Sequence, residues 1–169
     1  MQEVVTERLS IRPFSLDDAP LILHLLNEPS FLRNIGDRGV RDLAAARKYL
    51  EQGPLASYAT YGFGMWRLAL RADDTPIGMV GLLKRAFLDD IDVGYALLPE
   101  FCGAGYAFEA AAAVVAYARE TLGVGRLLAI VSPGNEPSIR LLHKLGFADA
   151  GTVRLPGEDS DLLLFSLTP

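Results

Sequence analysis

Over residues 7–12 polar and apolar side chains alternate, the period of a strand with one face buried. The period then lengthens. Ser15 stands three residues before Asp18, a capping box with Asp in place of Glu, and Leu21, Ile22, Leu25 and Leu26 follow at helical spacing on one side. Residues 30–39, punctuated by glycine, are expected to be loop, residues 41–52 a second helix, and residues 53–62 loop again. Three strands come next, over roughly residues 65–71, 76–85 and 90–98, with Asp73-Asp74-Thr75 as a hairpin turn. Residues 106–121 form a long helix dominated by alanine, whose small side chains let it lie close on a sheet. Residues 126–131 have the apolar centre of a buried strand. Asn135 opens a helix that runs to Leu145 and is ended by Gly146, and two strands near residues 148–154 and 161–167 finish the chain.

The order is strand, two helices, three strands, helix, strand, helix, two strands. The strand–helix–strand unit around the alanine-rich helix requires two parallel strands inside a mostly antiparallel sheet. No repeat, low-complexity tract or linker interrupts the 169 residues, so one domain over 1–169 is expected.

Composition narrows the function. No apolar run reaches membrane-spanning length, and no basic segment followed by an apolar stretch opens the chain, so neither a membrane association nor a signal peptide is expected. A single cysteine excludes an internal disulfide and fits a reducing cytoplasm. Two histidines and that cysteine make a poor metal set, and no metal is expected. A net charge of −5 argues against nucleic acid as a partner and is compatible with attracting a cationic amine.

The chemistry concentrates in Asp92-Val93-Gly94-Tyr95-Ala96-Leu97-Leu98-Pro99-Glu100-Phe101-Cys102-Gly103-Ala104-Gly105-Tyr106-Ala107. A strand, a glycine turn and a helix start together make a phosphate cradle: glycine lets backbone approach a ligand, and the first helical turn offers unpaired N–H groups and partial positive charge. An ordinary strand-to-helix turn explains a lone Gly-x-Gly equally well. The dinucleotide pattern Gly-x-Gly-x-x-Gly fails because Phe108 holds the third glycine position, and no Gly-Lys-Ser/Thr follows as a P-loop requires. A nucleotide-binding oxidoreductase is therefore disfavoured.

The segment Cys102-Gly103-Ala104-Gly105-Tyr106-Ala107 resembles the acyl-CoA-binding motif Gln/Arg-x-x-Gly-x-Gly/Ala of the GCN5-related N-acetyltransferase (GNAT) superfamily. Asn135-Glu136-Pro137-Ser138-Ile139-Arg140-Leu141-Leu142-His143-Lys144-Leu145-Gly146-Phe147 resembles its Asn-x-x-Ser…Leu-Gly-Phe helix. Thr6-Glu7-Arg8-Leu9-Ser10-Ile11-Arg12-Pro13-Phe14, Gly64-Met65-Trp66 and Ile77-Gly78-Met79-Val80-Gly81-Leu82 resemble the RimJ/RimL-like branch, which acetylates protein N-termini. Two departures stand out: Cys102 where the family often has Gln or Arg, and Ala104 where it often has a basic residue. Both remove side-chain contacts to phosphate and leave the backbone cradle intact.

The resemblance implies an α+β fold, an α/β/α sandwich around a mixed, mostly antiparallel sheet whose parallel pair splays apart, with Gly94 a bulge site. It implies acetyl-CoA as co-substrate, a protein N-terminus or small amine as acceptor, and a monomer or homodimer. Residues 102–107 and Asn135 would hold CoA, the pantetheine pairing like an added strand. The backbone N–H near Leu97 would polarise the thioester carbonyl. The family often places a Tyr acid seven residues after the Asn, but Leu142 stands there, so Ser138 becomes the candidate acid, with backbone or CoA contact as its plainer role. Asp92, where relatives often carry Glu, is the candidate base, or else an exposed strand residue. Cys102 reads as a small packing residue rather than a nucleophile, His24 as packing among leucines and His143 as surface. Some of Tyr58, Tyr61, Phe63 and Trp66 belong to the core and others could line the acceptor pocket, with residues 30–39 and 53–62 as candidate rims. A non-catalytic acyl-CoA sensor or protein-interaction module is the rival reading.

Overall fold

The computed structural model describes residues 3–168. Its eight strands are β1 (Val4–Val5), β2 (Leu9–Pro13), β3 (Met65–Leu70), β4 (Pro76–Leu83), β5 (Asp92–Leu97), β6 (Leu127–Val131), β7 (Ala148–Val153) and β8 (Leu162–Leu167). They form one sheet in the order β1-β2-β3-β4-β5-β6-β8-β7. Each pair is antiparallel except β5 and β6, which run parallel and pair only at Asp92 with Leu128 before parting. The helices are α1 (Ala19–Leu26), α2 (Pro29–Asn34), α3 (Leu43–Leu50), α4 (Ala56–Tyr61), α5 (Tyr106–Glu120) and α6 (Glu136–Lys144).

The strand period of two sorts side chains to two cores. On one face Leu9, Trp66, Leu68, Val80 and Val93 meet Ala110, Val114 and Ala118 of α5. Ala110 and Ala118 are fully buried, so the alanines do let this helix sit close on the sheet. On the other face Met65, Met79 and Ala96 meet Leu21, Ile22, Leu25 and Leu26 of α1 and Ala46 and Leu50 of α3. The sheet between two helical layers is the expected α+β architecture, splayed pair included.

Several local expectations give way. Residues 30–39 are not all loop: α2 occupies their first half, begun by Pro29 at the position where a missing N–H costs no hydrogen bond. Residues 53–62 are almost wholly helical: a wide five-residue turn, Glu51–Leu55, carries α3 through Gly53 and Pro54 into α4. The Tyr58 hydroxyl holds α4 to β3, donating to the Met65 carbonyl and accepting from the Phe14 N–H at 3.0 Å. His24 does not pack among the leucines. It faces outward and pairs with Glu28 one turn on, at 2.7 Å. No bulge occurs at Gly94: β4 and β5 keep unbroken register from Gly78/Leu97 to Leu83/Asp92, and the irregularities lie at Leu68/Ala69 and Asp149/Thr152. The capping box holds, with Ser15 N–H donating to Asp18 Oδ2 at 2.9 Å, although a 3-10 turn intervenes before α1.

Candidate active site

The parting of β5 and β6 opens a cavity of about 910 Å³, in the upper part of the ~300–1,000 Å³ range of small-molecule sites. It runs from the loop after β5, past the start of α6, to the face of the sheet under α2 and α3.

At one end lies the cradle. A 3-10 turn, Pro99–Phe101, is followed by Gly103 (φ +82°) and Gly105 (φ +84°), both in the left-handed region that side chains resist. Gly105 caps α5 with no side chain, and the first helical bond runs from Glu109 N–H to Gly105 O at 3.1 Å. The N–H groups of Tyr106, Ala107 and Phe108 therefore have no helical acceptor and are oriented to meet an anion. The loop is braced from afar. Arg8 donates through Nη1 to the Ala104 carbonyl (2.9 Å) and through Nε to Glu109 Oε1 (2.7 Å), and its guanidinium lies 4.3 Å from the Tyr106 ring centre. Thr6 Oγ1 also donates to Glu109 (2.5 Å). Burial pushes the Glu109 carboxyl up, but the bonds from Thr6 and Arg8 outweigh it and hold the group ionised below its ordinary range. Lys144 lies 4.2 Å from the Phe108 ring centre and lines the same cavity. Ala104 thus carries no charge, yet a cation stands on its carbonyl.

Cys102 is exposed rather than packed, its Sγ 3.7 Å from the Leu98 carbonyl. Partial burial and then Glu100 raise its thiol above the ordinary range, the wrong direction for a nucleophile.

Leu97 stands where a backbone donor is wanted. Leu98 N–H donates to Ile77 O at 2.8 Å, toward β4, so Leu97 is in a non-hydrogen-bonded pair and its own N–H points the other way. Ile91 O, in phase with it, accepts from Leu128 N–H at 2.9 Å. Two, four and six residues further, at Val93, Tyr95 and Leu97, the same edge of β5 faces a β6 that has turned away.

Asn135 caps α6, its Oδ1 accepting from Ser138 N–H at 3.4 Å. The half-buried Ser138 lines the cavity. Across from it stands Tyr95, whose hydroxyl is buried and has no hydrogen-bond partner among the described residues. Burial pushes its pKa up and the nearby Ser138 hydroxyl eases it down, a proximity short of hydrogen-bond geometry. Leu142, where relatives often carry Tyr, is fully buried in the core.

Asp92 is not an exposed strand residue: it is 1% exposed. Arg85 Nε approaches its two oxygens at 3.0 and 3.2 Å. Burial raises its pKa and Arg85 opposes the rise, leaving it at about 6. Asp92 and Gly94 face the α1–α3 side, where a Cβ on Gly94 would meet Met65 Sδ at 3.4 Å and Leu83 Cδ1 at 3.5 Å. Residues 30–39 do form a rim of this part, and Ser132 Oγ donates to Asn34 O (2.7 Å), fastening α2 to the end of β6. Residues 53–62 do not line it, nor do Tyr58, Tyr61, Phe63 and Trp66. Trp66 and Phe63 are core, and the aromatic wall comes from Phe31, Tyr49, Tyr95 and Phe101. His143 is at the surface as expected, 3.0 Å from Asp149.

Sequence reasoning missed Arg8, Arg85 and Tyr95 as parts of this site. Their partners lie on other elements, and only the Gly94-Tyr95 step, with its period-two placement toward the gap, carried a local signal.

The family described as "Acetyltransferase (GNAT) domain" matches residues 8–148. An "Uncharacterized N-acetyltransferase p20" of Bacillus licheniformis is 27% identical over 175 residues, covering 99% of this chain and 96% of its own. An acetyltransferase from Agrobacterium tumefaciens str. C58 superposes with a TM-score of 0.84 at 26% identity, over 100% of this chain and 95% of that one. The structure of RimL, described as a ribosomal L7/L12 alpha-N-protein acetyltransferase in complex with coenzyme A, superposes with a TM-score of 0.83 at 18% identity, over 99% and 98% of the two chains, and shares the fold.

Proposed function

This chain belongs to the GNAT acetyltransferase family, and from that premise we propose that it transfers an acetyl group directly from acetyl-CoA to a primary amine, either a protein N-terminus or a small molecule. The observation that carries the reading is the single pairing of β5 with β6 at Asp92/Leu128. Beyond it the free edge of β5 leads straight into the cradle, so one continuous groove offers strand-like pairing to a pantetheine arm and N–H groups to its phosphates.

Each candidate residue then has a position to act from. The N–H groups of residues 103–107 and the start of α5 hold the pyrophosphate, with Arg8 fixing the loop. Asn135 shapes the wall beside the pantetheine. Leu97 N–H meets the thioester carbonyl and favours the charge that grows on its oxygen. As the amine nitrogen bonds to the carbonyl carbon it gives up a proton, which passes along water in the groove to Asp92 at the other end of β5. As the C–S bond breaks, Ser138, beside Tyr95, supplies a proton to the departing sulfur. Much of the acceleration comes from holding amine and thioester together.

The test is thiol release from acetyl-CoA with N-terminal peptides, polyamines and aminoglycosides, paired with mass analysis of the amine. Acetylated amine is expected. CoA binding with no amine acetylated would leave the acyl-CoA sensor reading instead.

A further inference from the structure

The part of the cavity under α2 and α3 carries a charge pattern that the transfer chemistry does not use. Arg33, Arg38 and Arg85 line it against one acid of that side, Asp92. Asp92 is already matched by Arg85 Nε. That leaves the two Nη groups of Arg85 without a hydrogen bond among the described residues, and Arg33 and Arg38 with neither hydrogen bond nor ion pair there. Arg8, Arg12, Arg41, Arg67 and Arg154, by contrast, each close on a carboxylate, at 2.7, 3.3, 2.6, 2.8 and 2.9 Å, while Arg140, which has no such partner among the described residues, lines the cavity from α6. The neighbouring acids are spent too, Glu28 on His24 and Asp37 on Arg41. Glu158 faces the cavity from the far side, between β7 and β8. The half-buried Tyr49 draws the cluster together: burial pushes its hydroxyl up, and the charges of Arg38 and Arg85 pull it back.

These cations are misplaced for the phosphates of CoA. Arg85 sits at the Asp92 end of β5 and the cradle follows its other end, ~17 Å along the strand at ~3.3 Å per residue. Phe31, Met65, Met79 and Leu83 make much of the wall beside them apolar; Arg33 and Arg38 reach it from the exposed rim, and the half-buried Arg85 is the one whose field is weakly screened. A bare ammonium is repelled there. A planar guanidinium fork binds a carboxylate through paired hydrogen bonds.

Building on the acetyl-transfer reading, we infer that the acceptor is an amine that also carries a carboxylate, bound by Arg38 and the free edge of Arg85 with Arg33 at the rim. The carboxylate belongs either to a free amino acid or to an acidic side chain beside a peptide N-terminus.

The test is acetyl-CoA turnover on matched pairs: phenylalanine against phenylalanine amide, and a tetrapeptide beginning Ser-Glu against one beginning Ser-Gln, with spermidine as the cation without an anion. In one of the two pairs the carboxylated member should exceed its neutral partner by about tenfold or more in kcat/KM, as expected for one charge-assisted pair, and spermidine should be poorest. The pair that shows the difference identifies the source. Arg38→Ala should bring that ratio toward one without changing CoA affinity, and Arg38→Lys should restore part of it. Equal rates within both pairs, spermidine as the best substrate, or a ratio unmoved by Arg38→Ala would overturn the inference. Should no amine turn over, the acetyl-transfer reading fails separately. Calorimetric titration of the same pairs into CoA-loaded protein then decides: a carboxylate preference lost in Arg38→Ala upholds the anion site, and no preference overturns it.

Discussion

The two ends of β5 are built from different material. The end that leads into the cradle is backbone: left-handed Gly103 and Gly105, the uncapped start of α5 and an Arg8 that grips a carbonyl rather than a side chain. The Asp92 end is side chains: a buried carboxylate, the guanidinium on it and a tyrosine and arginine from other helices and loops. A backbone site tolerates changes of side chain, so Cys102 and Ala104 can depart from the family pattern at little cost. A side-chain site titrates and depends on single residues. Binding and chemistry should therefore break separately.

The largest separation comes at Asp92. Asp92→Asn should lower kcat/KM by about 100-fold, the lower range for loss of a general base, with CoA affinity unchanged. A base must be ionised, and the pKa of Asp92 is raised to about 6, so the wild-type rate should climb as pH rises through about 6. That limb should vanish in the mutant, and a pH–rate profile of both proteins checks it. Persistence of the limb would assign it to another group.

The converse change is Gly105→Val. It forces a branched side chain into φ +84°, with a Cβ 3.3 Å from Nη2 of the Arg8 that braces the loop. CoA should bind about tenfold more weakly or worse, ~1.4 kcal/mol, while turnover at saturating CoA changes little. Unchanged affinity in a folded mutant would remove the cradle.

Ser138→Ala should reduce turnover by about tenfold and CoA affinity by less. Its comparison with Tyr95→Phe shows whether the orphan hydroxyl shares the task, since equal losses that do not multiply in the double mutant mark one proton route.

The smallest effect is Ala104→Lys. A second cation on the loop should tighten CoA by about 0.5 kcal/mol at low salt and by less as salt is added, because Arg8 already stands at this carbonyl. In an Arg8→Gln background the gain should be larger. Titrations of CoA at two salt concentrations across the four proteins measure it.

Much of the fold was legible because its signals are local. The alternation before Pro13, the alanine-rich helix and the apolar run at residues 127–131 each obey one period over a few turns. Gly53 and Pro54 misled because breakers were read one at a time, whereas a wide turn absorbs both between two helices. His24 misled because leucine neighbours in sequence lie on the opposite side of the helix. The glycine turn and the helix start after it were legible for the same reason as the helices: their residues are close together in the chain. The Asp92 end was not, since Arg85 and Asp92 meet across a turn and Tyr49 arrives from α3, and neither was the brace on the glycine loop, where Arg8 reaches Glu109 across 101 residues.

The gap between β5 and β6 is also an unfinished hydrogen-bond ladder in the interior of a sheet. Open edges at a sheet's rim recruit other chains, but this one lies inside the sheet, flanked by β6 and the start of α6. A ligand that completes the ladder binds only the folded protein, and its free energy adds to folding by mass action, ~2.7 kcal/mol at a hundred times its dissociation constant. Melting temperature should then follow CoA concentration, and the amides of Tyr95 and Leu97 should exchange hydrogen more slowly when CoA is bound. Exchange at this one edge would then report directly whether the ladder is complete.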